Sequence, residues 1–173
     1  MRELITRSVF TLLILMASVI SAHAADIPQE LTEVLNLRQP ASNRYAAGQP
    51  KADAFAAFAD EGVKHVINLR PLSEMPDFNE AALATKAGMA YYNIPIGGPS
   101  DLTRSKVLLI DRLLRQIGDE KVLVHCASSN RVGALMALRA TWVEGASVEE
   151  ALAIGQSWGL TRLQPLVERL LSQ

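Results

Sequence analysis

The residues with the clearest chemical potential form one short run, Val122-Leu123-Val124-His125-Cys126-Ala127-Ser128-Ser129-Asn130-Arg131. An apolar strand pattern leads into a small polar loop, and a helix pattern rich in Ala and Leu follows. Backbone N–H groups of such a loop can converge on one point at the helix N-terminus, where the helix dipole adds positive potential. The run therefore predicts an oxyanion cradle formed by Ala127, Ser128, Ser129, Asn130 and Arg131.

Three side chains give this cradle its chemistry. Cys126 lies at its mouth, where positive potential favours the thiolate, which is the nucleophilic form. Arg131 supplies a planar fork that can pair with two oxygens of a phosphate or sulfate. His125 ends the strand, and we predict that it supports the loop by hydrogen bonding rather than by transferring protons.

The chain contains one Cys and three His. A single Cys excludes an internal disulfide, a Cys-x-x-Cys redox pair and a multi-cysteine zinc site. His65 and His125 are far apart in the sequence, without clustered carboxylates beside them. We therefore predict neither a metal nor a cofactor.

Strand and helix patterns alternate along the rest of the chain. Strands are predicted at 44–47, 63–69, 89–96 and 121–125, and helices at 54–62, 77–88, 103–117, 131–139, 147–157 and 161–170. Residues 25–43 are polar and interrupted by Pro, which indicates a lead-in segment. The alternation predicts an α/β fold with a mostly parallel sheet flanked by helices.

In such a sheet, ligands bind beyond the carboxyl ends of the strands. Arg70, Gly97-Gly98 and Cys126 all fall at predicted strand ends, so we expect their three loops to share one cleft. Arg70 is a supporting residue there, either contacting an anionic substrate or forming a salt bridge with Glu74 or Asp77.

Composition and the N-terminus bear on partners and location. The 173 residues include 17 Lys plus Arg and 18 Asp plus Glu, a formal net charge of -1 without a basic stripe, which argues against nucleic acid. Arg2 and Arg7 precede a short apolar run that ends near Ala22-x-Ala24. We predict a cleaved signal peptide at 1–24, a single domain at 25–173, no membrane span after cleavage, and a periplasmic or secreted protein.

Four segments in chain order carry a family resemblance: Ala46-Ala47-Gly48-Gln49-Pro50, Val66-Ile67-Asn68-Leu69-Arg70-Pro71, Asn93-Ile94-Pro95 and His125-Cys126-x4-Arg131. Together they resemble the bacterial dual-specificity-like branch of the protein tyrosine phosphatase superfamily, in particular the phosphatase-like domain of beta-lactamase-hydrolase-like proteins. The resemblance covers most of residues 40–165. It implies a cysteine-phosphatase-like α/β fold, Cys126 as nucleophile, Arg131 as phosphate ligand, and a phosphorylated small molecule or phosphoprotein as partner.

Two departures from that family pattern keep other chemistry open. The phosphatase signature has five residues between Cys and Arg, whereas this chain has four, as in many rhodanese-type sulfurtransferases. The family's general acid is an Asp shortly after the Ile-Pro pair, and here that position is Gly97 or Gly98. Asp101 is the candidate acid, although it equally resembles a cap or turn before the helix at Thr103.

Three functions follow from these observations. The first is a secreted cysteine-dependent phosphatase that hydrolyses phosphate monoesters through a cysteinyl-phosphate, with Cys126, Arg131 and Asp101 as catalytic residues. The second is a rhodanese-type sulfurtransferase that carries a persulfide on Cys126. The third is a non-catalytic module that keeps only the oxyanion cradle.

Overall fold

The computed structural model describes residues 31–172, so the predicted signal peptide lies outside the described residues. No helix in this part of the chain is long and apolar enough to cross a membrane. The strands are β1 (Arg38–Ala41), β2 (Arg44–Ala47), β3 (Val63–Asn68), β4 (Ala90–Asn93) and β5 (Lys121–His125). The helices are α1 (Ala54–Asp60), α2 (Glu80–Lys86), α3 (Arg104–Ile117), α4 (Asn130–Trp142), α5 (Val148–Ser157) and α6 (Gln164–Leu171), and two short 3-10 turns cover Leu72–Glu74 and Pro99–Asp101.

The five strands form one sheet in the order β1-β2-β5-β3-β4. Strands β2, β5, β3 and β4 run parallel, and β1 pairs antiparallel with β2. Helices α3 to α6 cover one face of the sheet, and α1 and α2 cover the other. The predicted α/β fold with a mostly parallel sheet flanked by helices is confirmed.

Strand β5 lies in the middle of the sheet and is buried on both faces. Val122 and Val124 pack against the larger helical layer, whereas Leu123 packs against the smaller one. This alternation follows from the two-residue period of a strand, and it explains the continuous apolar sequence that predicted β5. The carboxyl end of β5 therefore opens at the centre of the sheet edge, where Cys126 follows.

The prediction that residues 25–43 form only a lead-in segment is wrong for the last part of that range. Arg38–Ala41 pairs with β2, with Arg38 opposite Ala46 and Ala41 opposite Arg44. This strand lacks an apolar alternation and contains Pro40, which an edge strand tolerates because one of its sides donates no ladder hydrogen bonds. The pairing is visible only in the three-dimensional structure.

Two other elements are shorter than predicted. Helix α2 begins at Glu80 rather than Asp77, because the Asn79 side chain caps it by accepting a hydrogen bond from the backbone N–H of Ala82 at 3.1 Å. Strand β4 ends at Asn93 rather than Ile96, because Pro95 has no N–H to donate to the ladder. The start of α2 and the end of β4 both lie at the edge of the sheet that carries the candidate site.

Helix α4 packs very closely on α5. A Cβ atom added at Gly155 would lie 2.8 Å from both the Cβ of Ala137 and the carbonyl oxygen of Gly133, and one added at Gly133 would meet the backbone of Leu160. Only glycine permits this approach, because any side chain would push the helices apart. The contact fixes the position of α4, whose N-terminus carries Arg131.

Candidate active site

The loop that begins at Cys126 is held at the ends of two neighbouring strands. The backbone N–H of Cys126 donates to the carbonyl of Ala47 at the end of β2, at 3.3 Å, and the N–H of Gln49 donates to the carbonyl of Ala127 at 3.2 Å. The N–H of Leu69, just after β3, donates to the carbonyl of His125 at 2.8 Å. Cys126 is fully buried at this junction.

Four residues separate Cys126 from Arg131, and Ser129 allows this short connection. Ser129 has a left-handed backbone with φ of 65°, which reverses the chain just before α4. Its hydroxyl donates a hydrogen bond to the carbonyl of Trp158 at 2.9 Å. Gly159 packs against Ser129 so closely that an added Cβ would approach the Ser129 hydroxyl to 2.6 Å. Trp158 and Gly159, which follow α5, thus contact Ser129 and support the loop.

Asn130 begins α4 and ties the loop to the start of the last helix. Its Oδ1 accepts hydrogen bonds from the backbone N–H of Thr161 at 2.8 Å and of Leu163 at 3.3 Å. These two amides are held outside α6, which begins at Gln164 rather than at the predicted Thr161. The first turn of α4 leaves N–H groups without intrahelical partners, so its N-terminus can bind an oxyanion.

Arg131 lies beside Cys126 and pairs with Glu74. Its Nη1 and Nη2 atoms donate to the two carboxylate oxygens of Glu74, each at 2.8 Å, and Nη1 also donates to the carbonyl of Ile96 at 2.6 Å. The hydrogen bonds that Arg131 donates to Glu74 raise the pKa of Arg131, burial opposes the rise, and the electrostatic interaction with Cys126 adds to it. Arg131 therefore stays protonated next to the thiol.

The contacts of Arg131 leave part of its guanidinium available. Arginine has five N–H donors, and the three hydrogen bonds to Glu74 and Ile96 use two from Nη1 and one from Nη2. The remaining donors, Nε–H and the second Nη2–H, lie on one edge of the planar group, and the guanidinium also interacts with the Cys126 side chain. That edge matches two oxygens of one phosphate or sulfate.

Glu74 also contacts Arg70, so of the alternatives predicted for Arg70 the structure contains the salt bridge with Glu74 and not one with Asp77. Arg70 Nε donates to Glu74 at 3.4 Å, and its terminal nitrogens donate to the Glu74 carbonyl and to the Gln49 side chain. The pKa of Glu74 is lowered, chiefly by the hydrogen bond from Arg131, with a smaller contribution from Arg70. Two guanidinium groups thus share one carboxylate.

A buried polar network lies behind the loop. His125 Nε2 is 2.6 Å from Glu80 Oε1, and both side chains are buried. The other carboxylate oxygen of Glu80 accepts hydrogen bonds from Gln49 at 2.9 Å and Asn68 at 3.1 Å. His125 Nδ1 lies 3.4 Å from the Cys126 carbonyl, so the imidazole connects this network to the loop. This hydrogen bonding agrees with the supporting role predicted for His125.

Asp101 lies in the loop between β4 and α3. Its Oδ2 accepts a hydrogen bond from the backbone N–H of Gly97 at 2.7 Å, and Gly97 follows Ile96, whose carbonyl accepts from Arg131. The cap of α3 is Thr103, whose hydroxyl accepts from the N–H of Lys106 at 3.4 Å. Asp101 therefore does not cap α3 but ends the 3-10 turn before it, in agreement with the turn that the sequence also predicted. The loop that carries this turn contacts Arg131 through the Ile96 carbonyl.

The three loops predicted to share one cleft are connected through Arg131. Sequence reasoning missed the contact of Glu74 with Arg131, having considered Glu74 only as a partner for Arg70. It also missed Glu80, for which the sequence carries no recognisable signal. Gln49 and Asn68 lie within the segments that carried the family resemblance. Their place in those segments is the sequence feature that could have pointed to them.

Comparison with known families agrees with this geometry. A family model described as "Polymorphic toxin system, DSP-PTPase phosphatase" (Tc-R-P) matches residues 41–145. The chain belongs to this family. The predicted resemblance to dual-specificity-like phosphatases is therefore confirmed, and the protein is a hydrolase of the phosphatase type. Cys126 and Arg131 both lie within the matched range.

Curated relatives of this phosphatase are longer proteins. The beta-lactamase hydrolase-like protein of Xylella fastidiosa (strain Temecula1) is 35% identical over 117 residues, which cover 65% of this chain and 27% of the relative. The protein of the same name from Agrobacterium fabrum (strain C58) is 31% identical over 96 residues, covering 53% of this chain and 22% of the relative. The phosphatase chain thus spans about a quarter of the length of the curated relatives that it matches.

Solved structures share the fold of this phosphatase. A DUF442 protein from Shewanella putrefaciens CN-32 superposes with a TM-score of 0.65 at 25% identity, covering 83% of this chain and 95% of that chain. TpbA from P. aeruginosa, in a complex with pTyr, superposes with a TM-score of 0.62 at 22% identity, covering 78% and 82% of the two chains. Both likenesses confirm the predicted cysteine-phosphatase-like α/β fold.

Proposed function

We propose that this phosphatase hydrolyses phosphate monoesters through a covalent intermediate on Cys126. The Cys126 thiolate attacks phosphorus, an S–P bond forms, and the ester P–O bond breaks. The leaving alcohol or phenol takes a proton from Asp101. Water then attacks phosphorus, the S–P bond breaks, Asp101 takes up a proton, and inorganic phosphate leaves.

The position of Arg131 beside Cys126 carries this proposal. The free edge of its guanidinium, with Nε–H and one Nη2–H, is available to hold two non-bridging oxygens of the ester. Amides of the loop residues Ala127, Ser128, Ser129 and Asn130 add further donors at the N-terminus of α4. These donors stabilise the charge that develops on the phosphoryl oxygens in the transition state.

Asp101 is the residue that we assign as general acid. The β4–α3 loop reaches the site through the contact of the Ile96 carbonyl with Arg131, and Asp101 is held in that loop by the N–H of Gly97. Asp101 ends the 3-10 turn Pro99–Asp101, which precedes α3. Protonation of the leaving group matters most for poor leaving groups.

The substrate class and the location extend the proposal. A phosphorylated small molecule or a phosphoprotein is the substrate, and the pTyr bound by TpbA, which has the same fold, makes an aryl phosphate a suitable first probe. The Arg-flanked apolar run and the Ala22-x-Ala24 pattern support cleavage after residue 24 and action in the periplasm or outside the cell.

The test uses the mature chain, residues 25–173, kept reduced, with 4-nitrophenyl phosphate as substrate. Wild-type protein releases phosphate, whereas Cys126→Ser, which nearly preserves the side-chain volume, loses turnover completely. Ser157→Ala, a substitution on the exposed side of α5, serves as the matched control and keeps it. Mass spectrometry of a rapidly quenched wild-type reaction shows one phosphoryl group on the peptide that contains Cys126.

A second arm separates the remaining functions. The four-residue spacing between Cys126 and Arg131 is the one feature that favours sulfur transfer, so the same proteins are assayed for thiocyanate formation from thiosulfate and cyanide. Thiocyanate formation without phosphate release would overturn the proposal in favour of a persulfide on Cys126. Phosphate binding without either reaction would instead establish a non-catalytic oxyanion-binding module.

A further inference from the structure

A polar cavity of about 290 Å³ lies directly beside the catalytic loop. Its lining residues are Asn36, Arg38, Ser128, Gly159, Thr161 and Arg162. None of these six is acidic, and two are arginines, although the chain as a whole carries a formal net charge of -1. The cavity therefore concentrates positive charge at one edge of the loop that starts at Cys126.

Arg38 is placed at this cavity by a contact with the loop itself. Asn36 has a left-handed backbone with φ of 50°, and its side-chain amide donates to the carbonyl of Ser128 at 3.1 Å. Two residues later Arg38 opens β1 with an exposed side chain. The Asn36 contact thus fixes the N-terminal segment against the loop and delivers one guanidinium to the cavity.

Arg162 is placed by contacts on the opposite side of the cavity. The residues before and after it, Thr161 and Leu163, both donate backbone hydrogen bonds to Oδ1 of Asn130. The backbone of Arg162 is therefore held against the first residue of α4. Its side chain is exposed and reaches the cavity from the segment between α5 and α6.

Among residues 31–172, these cationic groups have no carboxylate partner. Within residues 31–172, neither Arg38 nor Arg162 forms a salt bridge or a side-chain hydrogen bond, and the hydroxyl of Ser128 likewise has no partner. Six of the other arginines in the same range are paired with carboxylates or backbone carbonyls, namely Arg44, Arg70, Arg104, Arg115, Arg131 and Arg139. Two unpaired guanidinium groups and a free hydroxyl around one small cavity match an anion with several acceptor oxygens.

We infer that this cavity is a second anion subsite, which binds a second phosphoryl group of the substrate whose first phosphate reacts at Cys126. The inference rests on the proposed phosphate-ester chemistry. Ser128 lines the cavity and also belongs to the loop that begins at Cys126, so its Cα lies at most about 7 Å from that of Cys126. A small molecule with two phosphates on one ring spans that distance, so the site selects bisphosphorylated small molecules over monophosphates.

The test compares 1,3-phenylene bisphosphate with 3-methoxyphenyl phosphate, which has one phosphate on a similar ring. For wild-type mature protein, we expect the KM of the bisphosphate to be about tenfold lower, as two solvent-exposed ion pairs would give. In the double variant Arg38→Gln/Arg162→Gln this ratio of KM values falls to about one. The matched control Arg112→Gln/Arg169→Gln removes the same charge from two other exposed arginines and keeps the ratio. Equal KM values in the wild type would overturn the inference.

A binding experiment tests the subsite even if the protein hydrolyses neither ester. If the wild-type protein releases phosphate from neither ester, the proposed function is contradicted. Calorimetry with the Cys126→Ser protein would then measure binding at the subsite independently of catalysis. We expect the bisphosphate to bind about tenfold more tightly than the monophosphate, with the difference lost when Arg38 and Arg162 are also replaced. Equal dissociation constants would overturn the subsite whatever the outcome for catalysis.

Discussion

Both terminal nitrogens of Arg131 donate to the carboxylate of Glu74, each at 2.8 Å. Glu74 comes from the 3-10 turn after β3, whereas Arg131 lies in the first turn of α4, so the pair joins two loops that are distant in sequence. The pairing also orients the free edge of the guanidinium. We interpret Glu74 as a positioning residue for Arg131, the proposed phosphate ligand.

Replacing Glu74 tests this positioning role. In Glu74→Gln, the side chain keeps its size but accepts with only one oxygen, so Arg131 loses its bidentate partner. We expect kcat/KM for 4-nitrophenyl phosphate to fall about tenfold. Steady-state kinetics of this variant beside Glu149→Gln, an exposed residue of α5, measures the effect. A lower KM in Glu74→Gln would show instead that the carboxylate competes with the substrate.

The same pair predicts a pH dependence of stability. The pKa of Glu74 in the folded protein lies below its ordinary value of 4.5, chiefly because of the hydrogen bond from Arg131. The stabilisation is therefore complete above about pH 4.5 and is lost as the pH falls through the lowered pKa. Urea unfolding between pH 6 and 3 should show a smaller loss of unfolding free energy for Glu74→Gln than for wild type. Identical pH profiles would contradict the linkage.

Glu80 is expected to matter for folding as well as for the site. Glu80→Ala leaves His125, Gln49 and Asn68 without their shared acceptor in a buried environment. Each buried polar group that loses its hydrogen-bond partner costs about 1–3 kcal/mol, so we expect a total loss of about 3 kcal/mol. Urea denaturation measures this loss, and the exposed Glu149→Ala should change the unfolding free energy by less than about 0.5 kcal/mol. Equal changes in the unfolding free energy for the two substitutions would contradict a stabilising role of Glu80.

Asp101 is tested by the dependence on the leaving group. Asp101→Asn keeps an acceptor for the N–H of Gly97 but has no proton to donate. We expect kcat/KM for phenyl phosphate to fall about 100-fold, and that for 4-nitrophenyl phosphate to fall much less, because nitrophenolate leaves without protonation. Asp77→Asn, in the exposed loop before α2, is the control. A uniform reduction for both esters would assign Asp101 a structural role.

The sequence allowed prediction of the central strands and the Cys126–Arg131 loop because their signals are local. Continuous apolar runs mark buried parallel strands, and a short polar segment between a strand pattern and a helix pattern marks the loop that joins them. Strand β1 could not be predicted, because Arg38–Ala41 pairs through its backbone and carries no apolar period.

Glu74 and Glu80 could not be assigned for a different reason. Each contributes through a partner far along the chain, Arg131 for Glu74 and His125 for Glu80. An isolated Glu in a polar loop or at the first position of a helix is ordinarily an exposed residue. Only the folded topology, in which β3 and β5 pair side by side, brings these two carboxylates next to the Cys126–Arg131 loop and its neighbours.

The close contact between Gly133 and Gly155 limits how this protein can be engineered. Exchanging a helical glycine for alanine is a common route to thermostability, with gains of about 0.4–1 kcal/mol where the backbone accepts it. Here the added methyl group would collide with the backbone of the facing segment or with Ala137. Consensus or propensity-based stabilisation should therefore leave both glycines untouched and direct its changes to the outer faces of α3 and α6.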